Sequence, residues 1–185
     1  MMNRKIWGLI AISFLFSFCD NENFTPKPKG YFRIELPEKK YVQSQLECPF
    51  SFEIPKYSVL SPDSSKDSEP CWLNLDFNPF NATTHFTYKT FKNKEEFNKL
   101  VEDANRLVYE HTIKASEINE SQIVKSEDKV YGILYELKGN TANSFQFFVT
   151  DSNKHFLRGA FYFNFASNQD SIAPIQKFLI DDMIH

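Results

Sequence analysis

"KVYGILYELKGNTANSFQFFVTDSNKHFLRGAFYFNF", residues Lys129 to Phe165, holds three runs of aromatic and aliphatic residues separated by two short polar connections. Such residues fit a pleated, half-buried surface, so each run reads as a strand. In the first, Tyr131, Ile133, Tyr135 and Leu137 recur at every second position and share one face. The connections "KGNTAN" (138–143) and "TDSNK" (150–154) have the Gly, Asn, Asp and Ser of turns and are short, so the strands form an antiparallel meander. In the third run Leu157, Phe161, Phe163 and Phe165 fall on one face with His155 and Gly159, while Arg158, Tyr162 and Asn164 take the other. The first of these faces is the expected core.

Upstream, Phe32, Ile34 and Leu36 alternate before Pro37, and Phe50, Phe52 and Ile54 alternate before Pro55, which predicts two short strands. Leu73, Leu75 and Phe77 alternate with Asn74 and Asp76, and Phe86 and Tyr88 stand among threonines in "TTHFTYKTF" (83–91), predicting a second pair. A helix follows, capped by Asn93 with Glu96 three residues on. Its stripe, Phe97, Leu100, Val101, Ala104, Leu107, Val108 and His111, keeps the helical period over four turns. Glu95, Glu96, Glu102, Asp103 and Glu110 read as a solvated face rather than catalytic pairs, and His111 as a half-buried histidine rather than a ligand or base. A last helix is capped by Asp170 or Ser171, has Pro174 in its first turn, and buries Ile175, Phe178, Leu179 and Met183. The reading is α+β: a single domain, with two main helices packed on an antiparallel sheet in the order strands, helix, three strands, helix. That order is similar to the order in Mog1 and PsbP-like folds.

Composition narrows the chemistry. The chain has 185 residues, 42% hydrophobic and 24% charged, enough apolar material for one sizeable core. Twenty of its aromatic residues are Phe, while Gly occurs only five times. Gly8, Gly30, Gly132, Gly139 and Gly159 have the spacing of neither a P-loop nor a dinucleotide fingerprint. Without Arg4 and Lys5 the chain carries 19 basic against 24 acidic residues, a net −5, and has no basic run, which argues against nucleic acid as a partner. His85, His111, His155 and His185 lack metal-ligand spacing, and neither Cys-x-x-Cys nor Gly-x-Ser-x-Gly occurs. We therefore expect no cofactor, no metal and no small-molecule substrate. Two histidine–carboxylate pairs close in sequence, His85 with Asp76 and His155 with Asp151, are the candidates for acid–base chemistry.

The leader "MMNRKIWGLIAISFLFSFC" opens with Arg4 and Lys5 and continues with thirteen uncharged, mostly apolar residues from Ile6 to Phe18. At roughly 20 Å of helix it is short for a hydrocarbon core of about 30 Å and reads as a secretory signal rather than a retained anchor. Cys19 follows it and precedes the polar run Asp20 to Asn23, which resembles a bacterial lipoprotein signal whose cysteine receives lipid. Phe18 departs from that pattern, which has a small residue before the cysteine. The organisation expected is a signal peptide over residues 1–18, a lipidated N-terminus and flexible tether over 19–29, and one globular domain over 30–185. With Cys19 set aside, Cys48 and Cys71 are an even pair in an exported chain, read as a disulfide closing the Ser-, Asp- and Pro-rich loop "KYSVLSPDSSKDSEP" (56–70). Two separately buried thiols are the alternative.

Longer segments carry a resemblance. "PKPKGYFRIELPEKKY" (26–41), "CPFSFEIPKY" (48–57), "PCWLNLDFNPFNATTHFTYK" (70–89), "YEHTIKA" (109–115) and "VYGILYELKGNTANSFQFFVTDSNKHFLRGAFYFN" (130–164) resemble the gliding-motility lipoprotein GldD family of the Bacteroidetes, as does "DSIAPIQKFLIDDMIH" (170–185). The resemblance implies a non-enzymatic cell-envelope lipoprotein, anchored by lipid on Cys19 and facing the periplasm, that gliding requires and that is linked to type IX secretion. It implies as partners the other gliding-motility lipoproteins, GldJ first, and the secretion and motor assembly, and it brings no catalytic residues. A binding module that takes a peptide or carbohydrate on aromatics such as Trp72, Tyr88 or Tyr162 is the alternative, and an envelope hydrolase the third class.

Overall fold

The computed structural model describes residues 34–110, 115–139, 141, 143–165 and 169–185. In chain order the first half holds β1 (Tyr41–Gln43), β2 (Glu53–Pro55), β3 (Val59–Pro62), β4 (Leu73–Phe77), β5 (Ala82–Thr90) and α1 (Lys94–Tyr109). The second half holds β6 (Ala115–Lys125), β7 (Val130–Gly139), β8 (Asn143–Thr150), β9 (His155–Phe163) and α2 (Gln169–Ile184). Seven strands form one sheet in the order β3-β4-β5-β9-β8-β7-β6, antiparallel at every step, and β1 pairs with β2 apart from it. The meander of β7, β8 and β9 therefore supplies three of the seven strands. Its last strand then lies along β5 for nine residues, from Ala82 opposite Phe163 to Thr90 opposite His155. The fold is α+β, as expected from the order of elements.

Each face of this sheet carries an apolar cluster roofed by a helix, which the sequence reading did not foresee. On one face Leu73, Leu75, Phe77, Phe86, Leu134, Phe145 and Phe161 pack against Phe178 and Leu179 of α2, with Phe50, Phe52, Ile54 and Tyr57 closing over them. Leu157, Phe161 and Phe163 join this core as expected, but Phe165 is 42% exposed beyond the strand end. On the other face Tyr135, Leu137, Phe148 and Phe156 pack against Ala104 and Val108 of α1 and against Phe91. Burying a side chain of this size contributes about 1.5–3 kcal/mol, so each helix is held mainly by the face it covers.

Several boundaries differ from expectation. Ile34 to Leu36 form no strand, and Phe32 lies outside the described residues; period-two alternation supplies a face but not a partner edge. Only Glu53–Pro55 of the Phe50–Ile54 run is paired. The loop expected between the cysteines contains β3, an edge strand whose Leu60 packs on the core while Val59 is 51% exposed. β6 escaped the pattern altogether: Ile118 packs on the α1 side and Ile123 on the α2 side, so its few apolar residues do not alternate. Gly132 in β7 answers to a close approach, because a Cβ there would lie 1.9 Å from the Phe148 carbonyl oxygen.

The helices are sealed in different ways. Asn93 Oδ1 accepts the Glu96 backbone N–H at 2.9 Å, and Glu96 Oε2 accepts the Lys92 N–H at 2.8 Å. The exposed side of α1 carries Glu95–Lys99 and Asp103–Arg106–Glu110 ion pairs, the solvated face expected, and His111 lies outside the described residues. α2 begins at Gln169, which puts Pro174 inside the helix rather than in its first turn; the side chains of Asp170 and Ser171 lie outside the described residues. Near its end Asp182, 5% exposed, accepts the Tyr41 hydroxyl at 2.7 Å and the Tyr57 hydroxyl, and pairs with Lys39 at 2.9 Å. These bonds keep both phenols protonated. Burial, reinforced by Asp182, pushes Tyr41 up to about 12 and Tyr57 higher still.

Candidate functional site

Cys48 and Cys71 are joined by a disulfide, with Cα atoms 5.8 Å apart. Cys71 has φ +65°, a left-handed conformation that a non-glycine residue rarely adopts, and it lies two residues before β4. The bridge links the segment after β1 to the start of β4 across the edge strand β3, forming one wall of an open groove of about 880 Å³. Val42, Ile54, Leu60 and Leu73 give the groove an apolar floor, and Glu47, Asp63 and Glu69 stand among its lining residues. Hydrogen bonds from Ser65 hold the Asp63 carboxyl below the usual carboxylate range. Two exposed aliphatics, Val42 and Val59, belong to the same groove, so its surface is more apolar than that of an ordinary loop.

Of the aromatics considered as binding groups, Trp72 also lines the groove, but its indole N–H donates to the Tyr88 carbonyl at 3.1 Å and Lys89 sits 5.2 Å above its ring. Tyr88 packs on Phe50 at 5.3 Å, and its hydroxyl lies 2.6 Å from His155 Nδ1. Burial, with Asp151 adding to it, raises the Tyr88 hydroxyl above its ordinary value. Both rings are thus committed to internal contacts. Tyr162 stands elsewhere, on the α1 side of the sheet, 5.7 Å from the His85 ring.

Neither histidine–carboxylate pair assembles. His85 Nδ1 lies 2.7 Å from Asn74 Oδ1, while Asp76 accepts the Thr83 hydroxyl at 2.7 Å. Asp151 accepts three successive backbone N–H groups, from Asn153, Lys154 and His155, and so shapes the turn before β9 while the His155 ring bonds to Tyr88. The reason is strand geometry: Asp76 and His85 sit on neighbouring strands, but the register places Asn74 opposite His85 and Thr83 opposite Asp76. Among the described residues no group of three His, Cys, Asp or Glu could hold a metal ion.

Beyond the footprint of α1, the same side of β4, β5 and β9 is polar. It carries Asn74, Asp76, His85, Arg158 and Tyr162 around a buried Thr83, none of which belongs to either apolar cluster. Sequence reasoning had placed Arg158 and Tyr162 off the core face but had not singled out Arg158 or Gln146, which touch each other across β8 and β9. Cys19 lies outside the described residues, and among those described no helix is long and apolar enough to cross a membrane.

Against known families, residues 21–185 match the one described as gliding motility lipoprotein GldD. Comparison with curated proteins finds no match.

Proposed function

The chain belongs to the gliding motility lipoprotein GldD family, and from that premise we propose that it is a lipid-anchored accessory protein of the cell envelope, held by Cys19, facing the periplasm and required for gliding. It acts through protein contacts that support assembly or stability of the gliding and type IX secretion machinery, with the other gliding-motility lipoproteins, GldJ first, as its partners. The single observation that carries this reading is the family match over nearly the whole chain. The leader ending at Cys19 supports the anchor. The histidines and carboxylates spent on structural bonds support a role without catalysis.

The test is a clean deletion complemented with the wild-type chain and with Cys19→Ser. The deletion strain should lose surface spreading and secretion of type IX cargo. Cys19→Ser should restore neither while the protein itself leaves the membrane fraction. A deletion strain that spreads and secretes normally overturns the reading.

The groove beside the disulfide favours a second reading, an envelope module that holds a peptide. Since Trp72 and Tyr88 are engaged internally, such a peptide would rest on Val42, Val59 and Leu60 rather than stack on rings, and Val59→Asp would weaken its retention.

A further inference from the structure

Arg158 lies in the middle of β9, opposite Thr87 on one side and Phe148 on the other. It is half-buried, and burial pulls its guanidinium below the ordinary value. Among the described residues no carboxylate comes within ion-pair distance of it. Of the acids beside this face, Asp76 is engaged with Thr83 and Asp63 with Ser65 and Asn74, and the face's lysine, Lys89, is paired with Glu69. A cation drawn out of water without a counter-ion is unfavourable unless something else neutralises it.

Among the described residues, the one side-chain hydrogen bond that Arg158 makes goes from Nη2 to Gln146 Oε1, at 2.5 Å. Gln146 is 1% exposed, and its Nε2 has no hydrogen-bond partner. An apolar residue of that size would suit the position better by itself, since an unmatched buried N–H is destabilising. What the amide provides is an oxygen that fixes the plane of the guanidinium and leaves the other N–H groups of Arg158 free. His85, Thr87 and Tyr162 stand around it. The groove beside the disulfide does not include these residues; on their face His85 is exposed, and Thr87, Arg158 and Tyr162 are half-buried.

We propose that Arg158, oriented by Gln146, is the anchor for a carboxylate carried by a partner protein, an Asp or Glu side chain set down on the polar face of β4, β5 and β9. A planar guanidinium with two free N–H groups takes a carboxylate in bidentate fashion, and the desolvation already borne by the fold makes that bond stronger than on an ordinary surface. A partly exposed sheet face with hydrogen-bonding neighbours suits a protein segment rather than a free anion. Gln146 is a positioning residue. This inference rests on the reading that the chain works through protein contacts and names the chemistry of one such contact.

The test uses the full-length chain in detergent micelles, with the Arg158 Nε–Hε signal followed by NMR during titration with acetylated tetraglutamate. The signal should shift saturably with tetraglutamate and not with tetralysine, sodium acetate or phosphate. Arg158→Met should weaken binding about tenfold or more. Gln146→Leu should weaken it several-fold while the melting temperature stays level or rises, an outcome a purely structural glutamine would not produce. An unmoved signal, an equal response to acetate or phosphate, or unchanged binding in Arg158→Met overturns the anchor. In cells, an Arg158→Met strain should spread poorly although its protein is folded and disulfide-bonded. If that strain spreads while the deletion strain does not, the anchor fails and the family reading stands; if the deletion strain spreads too, the family reading fails.

Discussion

The two faces of the seven-stranded sheet are built from the same strands but have different chemistry. The α2 face is aromatic and aliphatic from β4 to β7, roofed by α2 and by the segment from Phe50 to Tyr57. The α1 face is apolar only where α1 lies, over Tyr135, Leu137, Phe148 and Phe156, and turns polar along β4, β5 and the far half of β9. One face therefore carries stability over its whole extent. The other divides its area between stability and a partly exposed polar surface, and it is there that the fold tolerates an unmatched amide N–H and a guanidinium with no carboxylate in ion-pair range among the described residues. Departures from a good core in a natural domain mark places with another task.

This contrast can be broken most directly in the middle of the α2 face. Phe161, 1% exposed, should lose about 3–5 kcal/mol on Phe161→Ala in a urea titration. A loss under about 1 kcal/mol would remove the claim that this face carries the fold. Next in size, replacing Cys48 and Cys71 together by serine should lower stability by about 2–4 kcal/mol, since the bridge closes a separation of 23 residues. The groove should open with it, read as faster hydrogen exchange in β3.

Asp182→Asn tests the seal between α2 and the N-terminal segment and should cost about 1–3 kcal/mol, because the buried bonds to Tyr41, Tyr57 and Lys39 are weakened rather than all removed. The same seal has a pH signature. Tyr41 is raised from 10.0 to about 12, so its contribution is complete below pH 10 and is lost as the pH climbs through about 12. Thermal melts at pH 7, 10, 11 and 12 should fall over that window, with tyrosinate absorbance rising in parallel.

On the α1 face the expected effects are smaller. Asn93→Ala removes the cap on the Glu96 N–H and should cost about 1 kcal/mol in thermal unfolding. Thr87→Ala, on the polar area, should change stability by no more than about 0.5 kcal/mol. If Thr87→Ala proved as destabilising as Phe161→Ala, the two faces would not differ in the way described.

Much of this was legible beforehand, and the failures have physical causes. The meander, β4, β5 and α1 could be read because each alternates or turns with a single period and begins at a recognisable cap or turn. The strand expected at Ile34 and Leu36 failed for want of a partner edge, and β6 and β3 were missed because an edge strand takes its pairing from a neighbour and needs few apolar residues of its own. The histidine pairs came apart for two reasons: register sets Asn74 rather than Asp76 opposite His85, while Asp151 is taken up by the backbone N–H groups of the turn before β9, the His155 N–H among them, and the His155 ring turns to Tyr88. The Arg158–Gln146 contact joins residues twelve positions apart on different strands, and no local pattern marks it.

By itself the sequence determined the class, the family resemblance and the elements with a regular period, because composition, spacing and local propensity act along the chain. Only the tertiary structure decided that β9 returns to lie against β5, that each sheet face carries its own apolar cluster and helix, and that Asp182, Arg158 and Gln146 stand where they do. Those outcomes depend on strand register and on which helix lands on which face, and both are set by contacts between residues far apart in the chain.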